Sequence, residues 1–110
     1  MSVEKVVQQQ IEYYDSQDIE GFASTYADDI TVYTFPDNTI TLSGKQALIE
    51  SYTETFKKKM YAEIKNRSTV GNKVIDWEIA TNGLIGESTS LMAIYEIKED
   101  LISKVWFIRE

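Results

Sequence analysis

Apolar positions recur at helical spacing along the first half of the chain and alternate in the strand manner along the second half. Val3, Val7, Ile11 and Tyr14 stand four, four and three residues apart, one face of a helix running from Ser2 to about Ser16, with Ser2 placed to cap it. After Gln17, Asp18 is positioned to cap a short second helix on which Ile19, Phe22, Ala23 and Tyr26 share a face. Ile30 to Phe35 is a β-branched and aromatic run that predicts a strand ended by Pro36-Asp37-Asn38, and Thr39 to Leu42 continues it as an edge strand. Ser43-Gly44-Lys45-Gln46 has the spacing of a capping box. The third helix that follows should bury Leu48, Tyr52 and Phe56, with Ile49 and Met60 beside them, and stop at Lys57-Lys58-Lys59, whose cations offset the negative end of the dipole.

Four strands are predicted beyond that point: Tyr61 to Val70, Lys73 to Thr81, Ser88 to Ile97 and Leu101 to Arg109. Gly71-Asn72, Asn82-Gly83 and Lys98-Glu99-Asp100 separate them as turns between antiparallel neighbours. A two-residue turn at Gly71-Asn72 pairs Val70 with Lys73, hence Arg67 with Asp76 and Lys65 with Glu78. The side carrying Ile64, Asn66, Ile75, Trp77 and Ile79 is then expected to pack inward. The charged side, Glu63, Lys65, Arg67, Asp76 and Glu78, is left to form cross-strand pairs contributing about 0.2–1 kcal/mol. The fold class is α+β, three helices on one face of a curved antiparallel sheet, in a single domain spanning 1–110.

Composition narrows the chemistry. The chain has no histidine and no cysteine, so imidazole- or thiolate-based nucleophiles, zinc sites, iron–sulfur ligation and disulfide redox work are excluded. Proton transfer by carboxylates and phenols, or binding alone, remains, and no cofactor is expected. A formal charge of −7 repels a phosphate backbone and argues against nucleic acid. No apolar stretch approaches the ~20 residues of a membrane span and no secretory core follows the N-terminus, so a cytoplasmic location is expected and a membrane partner is not. No calcium-loop spacing appears, and no metal site is assigned.

Several strings, taken in order, resemble the nuclear-transport-factor-2-like superfamily, which includes ketosteroid isomerases and SnoaL-like polyketide cyclases. They are Asp18-Ile19-Glu20-Gly21-Phe22, the run from Tyr26 to Val32, Ser43 to Leu48, Gly71 to Glu78, Ala93 to Ile97, and Ile102 to Ile108. The resemblance covers nearly the whole chain and implies a cone in which helices close over the sheet around a largely apolar cavity, with homodimers formed through the open sheet face. It implies a small apolar or aromatic ligand and, in the isomerases, three catalytic groups. Aligned on this chain, the proton-abstracting aspartate falls at Thr34, the first-helix tyrosine at Gln10 and the protonated oxyanion-site aspartate near Ala93. Threonine is no base near neutral pH and alanine donates no hydrogen bond, so isomerase activity is not carried over.

The expected substitutes are Asp37, three residues beyond Thr34, as a base, and Tyr14, one turn beyond Gln10, as a hydrogen-bond donor. Tyr26, Thr34, Tyr52, Phe56, Trp77, Tyr95 and Trp106 are the candidate ligand-binding residues, with most of the aromatic area needed simply for the core. Two readings follow. One is a small-molecule-binding protein, with proton transfer on a small carbonyl compound as its chemistry if it is an enzyme. The other is a non-catalytic homodimeric association module with a closed cavity, which would use Met92 and Ile94 on the outer sheet face.

Overall fold

The computed structural model describes residues 2–109. Its elements are α1 (Val3–Asp15), α2 (Ile19–Ser24), β1 (Tyr26–Thr34), β2 (Ile40–Ser43), α3 (Lys45–Phe56), β3 (Met60–Val70), β4 (Lys73–Asn82), β5 (Ser88–Lys98) and β6 (Leu101–Arg109). The caps of the first two helices form as their sequences suggest: the Ser2 hydroxyl accepts from the Lys5 N–H, and Asp18 Oδ1 accepts from the Gly21 N–H at 3.0 Å. The capping box does not form. Ser43 is the last residue of β2, opposite Thr31, and the N-cap is Gly44, whose φ of +89° is a conformation glycine tolerates without a Cβ penalty. Gln46 donates instead to Glu50, one turn along α3.

The strands form one sheet in the order β2-β1-β6-β5-β4-β3. All neighbouring strands are antiparallel except β1 and β6, which run parallel. This parallel pair follows from the route of the chain. From β1 and β2 it crosses through α3 to the far edge, enters at β3, and meanders back until β6 arrives beside β1. The helices cover one face of the curved sheet. There Val6 and Val7 of α1, Phe22 of α2, and Leu48 and Phe56 of α3 close a core against Ile30, Val32, Val74, Ala93, Tyr95 and Val105.

The β3–β4 hairpin corrects the expectation about its faces. The register at the turn is the expected one, Val70 opposite Lys73 and Arg67 opposite Asp76, but Arg67, Asp76 and Glu78 point inward while Glu63 and Lys65 stay exposed. Asp76 is 0 % and Glu78 6 % exposed, whereas Trp77 is 42 % exposed on the outer face. The neighbouring strand decides. β4 is flanked by β5 as well as β3, and Val74, Asp76 and Glu78 stand opposite Tyr95, Ala93 and Leu91, all of them buried under the helices. Turning Ile75, Trp77 and Ile79 inward would expose that whole set. A bulge between Ile64 and Asn66 also sets Ile64, not Lys65, opposite Glu78, and Lys65 pairs with Glu63 instead.

Candidate active site

A cavity of about 400 Å³ lies between the sheet and helices α1 and α3. Its apolar wall includes Ile11, Leu42, Met60, Leu91 and Phe107, and its polar groups include Gln10, three tyrosines (Tyr14, Tyr52 and Tyr95), Glu78 and Arg109. Apolar side chains and polar groups share the lining, the polar ones converging from both helices and the sheet.

The tyrosines are held by their neighbours. Tyr14 packs edge to face on Phe56 at 5.5 Å, and Tyr52 lies 4.7 Å from Phe22, between ring centroids. Burial raises the Tyr14 hydroxyl above its ordinary value, with the neighbouring Tyr52 adding to the effect, and pushes that of Tyr52 up to about 12. Both are therefore neutral donors at physiological pH.

Two carboxyl groups enter from β4. Asp76 takes a bidentate pair from Arg67, Nε to Oδ1 at 2.7 Å and Nη2 to Oδ2 at 2.9 Å, while Nη1 of the same arginine donates to Gln8 on α1. With Asp76 fully buried, this is a buried ion pair and not the surface pair its spacing suggests; its charges are desolvated and matched by geometry. Glu78 has no such cation. The Tyr95 hydroxyl donates to Glu78 Oε2 at 2.9 Å, and the pair is buried. Burial pushes the Glu78 carboxyl up to about 7, the Asp76 charge adds to the rise, and the Tyr95 hydrogen bond and the charges of Arg67 and Arg109 oppose it. A carboxyl group poised near neutrality in a cavity of hydroxyl donors is suited to taking up and returning a proton.

Of the residues singled out from sequence, Tyr14, Tyr52 and Tyr95 come together on the cavity wall. Tyr26 and Phe56 are buried in the core but are not among the lining residues. Asp37 is not brought to the cavity either. It lies in the turn after β1, exposed, with its oxygens taking hydrogen bonds from the Thr34 and Thr39 hydroxyls at 2.5 and 2.6 Å, and these hold its carboxyl below the usual range. Thr34 is thereby committed to the turn. Trp77 and Trp106 belong to the outer sheet face, where the Trp77 indole donates to Ser90, and Trp106 stacks on Tyr33 at 5.2 Å and donates to Asn38. Sequence reasoning missed the burial of Glu78 and passed over Arg109. The available signal was the set Val74, Asp76, Glu78 and Ala80, in which two carboxylates share a face with two apolar residues on a central strand.

A cone-shaped α+β domain with helices closing over a curved sheet defines the class of this protein, and comparison with known proteins specifies it. The chain belongs to the SnoaL-like domain family, whose model matches residues 7–105. Among solved structures it is similar to an uncharacterized cystatin-fold protein from Novosphingobium aromaticivorans, at 27 % identity and a TM-score of 0.88 over 99 % of both chains. It is also similar to a provisionally assigned ketosteroid isomerase from Kribbella flavida, at 13 % identity and a TM-score of 0.84 over 98 % of this chain and 77 % of that one. A computationally designed 17-OHP binder aligns at 15 % identity and a TM-score of 0.83 over 98 % of this chain and 90 % of that one. No curated protein matches the chain in sequence. The last two likenesses establish the shared fold, which serves both enzymes and binders. Among the described residues, no group of acidic side chains is arranged to hold a metal ion, and no helix is long and apolar enough to cross a membrane.

Proposed function

We propose that this protein binds a small, largely apolar carbonyl compound in the cavity and moves a proton on it, with Glu78 as the acid–base group. The observation that carries the reading is the buried Glu78 carboxyl on the cavity wall, held by the Tyr95 hydroxyl and shifted to about 7. In the proposed reaction Glu78 takes the proton from the carbon next to the carbonyl, the bonding pair moves into an enolate, and the protonated Glu78 returns the proton to that carbon or, in a β,γ-unsaturated compound, to the γ-carbon as the double bond moves into conjugation. Tyr14 is proposed to donate a hydrogen bond to the oxygen on which charge develops, a role open to it because its hydroxyl stays protonated. Glu78 thus takes the role first sought in Asp37. The test is exchange of the acidic C–H of carbonyl ligands in deuterated water, followed by NMR. Wild-type protein should accelerate exchange and Glu78→Gln should abolish it; equal rates in the two proteins would remove Glu78 from the mechanism.

We further propose that the protein is a homodimer joined through the outer face of the sheet. Ile75, Trp77, Met92, Ile94, Trp106 and Ile108 form a continuous cross-strand apolar surface there, with Ile75 opposite Ile94, Trp77 opposite Met92, and Met92 opposite Ile108. Sedimentation at micromolar concentration tests it: a dimer is expected for wild-type protein and a monomer for Trp77→Glu, whereas a wild-type monomer would contradict the assignment.

A further inference from the structure

Two polar groups on the cavity wall have no role in the proton transfer, and each asks something specific of a ligand. Gln10 is 5 % exposed, and its Oε1 has no hydrogen-bond partner, which costs free energy on the order of 1–3 kcal/mol in a buried acceptor. The Gln10 side chain also acts on the Tyr26 hydroxyl, partly opposing the rise that burial gives its pKa. Arg109 supplies the only cation among the lining residues and makes no ion pair with a carboxylate among the described residues. Its guanidinium lies 4.6 Å from the centroid of Phe107, another lining residue, and its charge is felt by Tyr14, Tyr52 and Glu78. In a chain of formal charge −7 this is a local exception, a positive group directed at a cavity that has one carboxyl, Glu78.

We infer that the carbonyl ligand is a hydroxylated keto acid, with one carboxylate and one hydroxyl on an apolar body that carries the reacting ketone. Its carboxylate pairs with Arg109 at the exposed side of the cavity, its body packs on Phe107, Leu91 and Met60, and its hydroxyl donates to Gln10 Oε1 in the buried part. A planar guanidinium presents two parallel N–H donors to a carboxylate. A phosphate dianion would bring two negative charges to a single cation beside Glu78, so the monoanion is the better match. The inference rests on the cavity being a ligand site and deepens that reading by naming the ligand's chemistry.

The experiment uses the full chain and a panel of one- and two-ring hydroxylated keto acids, each alongside the neutral amide of its carboxyl group and its deoxy analogue, with affinities from ligand-observed NMR. The best acid should bind wild-type protein roughly tenfold or more tighter than its amide, the scale of one charge-assisted hydrogen bond. Arg109→Gln should bring that ratio to about one, and Gln10→Met should do the same to the ratio between hydroxylated and deoxy acids, with circular dichroism checking that both variants fold. Amides binding as well as acids, or a ratio that survives Arg109→Gln, would overturn the inference and leave the cavity reading standing. Failure of every panel member to bind would overturn the inference, while exchange catalysed on a neutral carbonyl ligand would keep the cavity reading.

Discussion

Asp37 and Glu78 are both carboxylates held by side-chain hydroxyls, and they are displaced in opposite directions. Asp37 sits in water at the end of β1, where the hydrogen bonds from Thr34 and Thr39 act on an already well-solvated anion and lower its pKa. Glu78 accepts from Tyr95 under the helices, where loss of hydration outweighs the same kind of hydrogen bond and the carboxyl is pushed up to about 7. A hydroxyl donor by itself therefore does not say whether a carboxylate is a base in waiting or a turn fixture. The dielectric around it does.

The largest break in this comparison should come from Asp76→Asn. It leaves Arg67 partly buried without its ion-pair partner and should cost about 3–5 kcal/mol in urea unfolding followed by circular dichroism. A loss well below 1 kcal/mol would mean that water reaches the pair and that β4 is not closed over by the helices. It would also undercut the burial argument for Glu78.

Glu78→Gln should give the next largest effect, and one with a pH signature. Burial pushes the folded carboxyl up to about 7 from its ordinary 4.5, so between those pH values the folded chain keeps a proton that the unfolded chain releases. Wild-type stability should consequently fall as pH rises through that window, by up to about 3 kcal/mol for a shift of this size. The glutamine variant lacks the decline and should be the more stable protein at pH ~8, with its advantage gone below pH ~4.5. Parallel stability profiles for the two proteins would place Glu78 in water with Asp37.

The smallest effect is expected at Asp37. Its folded pKa is depressed, so its contribution is present above the unfolded value near ~3.8 and is lost as pH falls through the folded value. Asp37→Asn should leave the shape of the stability profile between pH ~5 and ~8 unaltered and leave any proton-exchange activity intact. Loss of exchange activity in this variant would restore Asp37 as the base and remove the contrast with Glu78.

Much of the fold was legible in the chain because local signals and tertiary demands agree. The 3.6-residue period of Val3, Val7, Ile11 and Tyr14, the caps at Ser2 and Asp18, and the Gly71-Asn72 turn each depend on neighbours a few residues away. The cavity tyrosines were legible for a similar reason: Tyr14 and Tyr52 lie on the inner stripes of α1 and α3, and the inward phase of β5 carries Tyr95. The base was not. Which face of β4 turns inward depends on its pairing with β5, and apolar residues at Ile75, Trp77 and Ile79 outweighed carboxylates at Asp76 and Glu78 in any reading of that strand alone.

The sequence by itself determined the order of the elements, though not that β1 begins as early as Tyr26, together with the exclusion of imidazole and thiolate chemistry and the supply of carboxylates and phenols, because these are properties of composition and local periodicity. Only the tertiary structure decided which carboxylate loses its water. A β-strand offers its two faces equally to the solvent and the core until its neighbours and the helices above it choose. That choice placed Asp76 against Arg67 and Glu78 against Tyr95 inside the cone, and set Trp77 outside it.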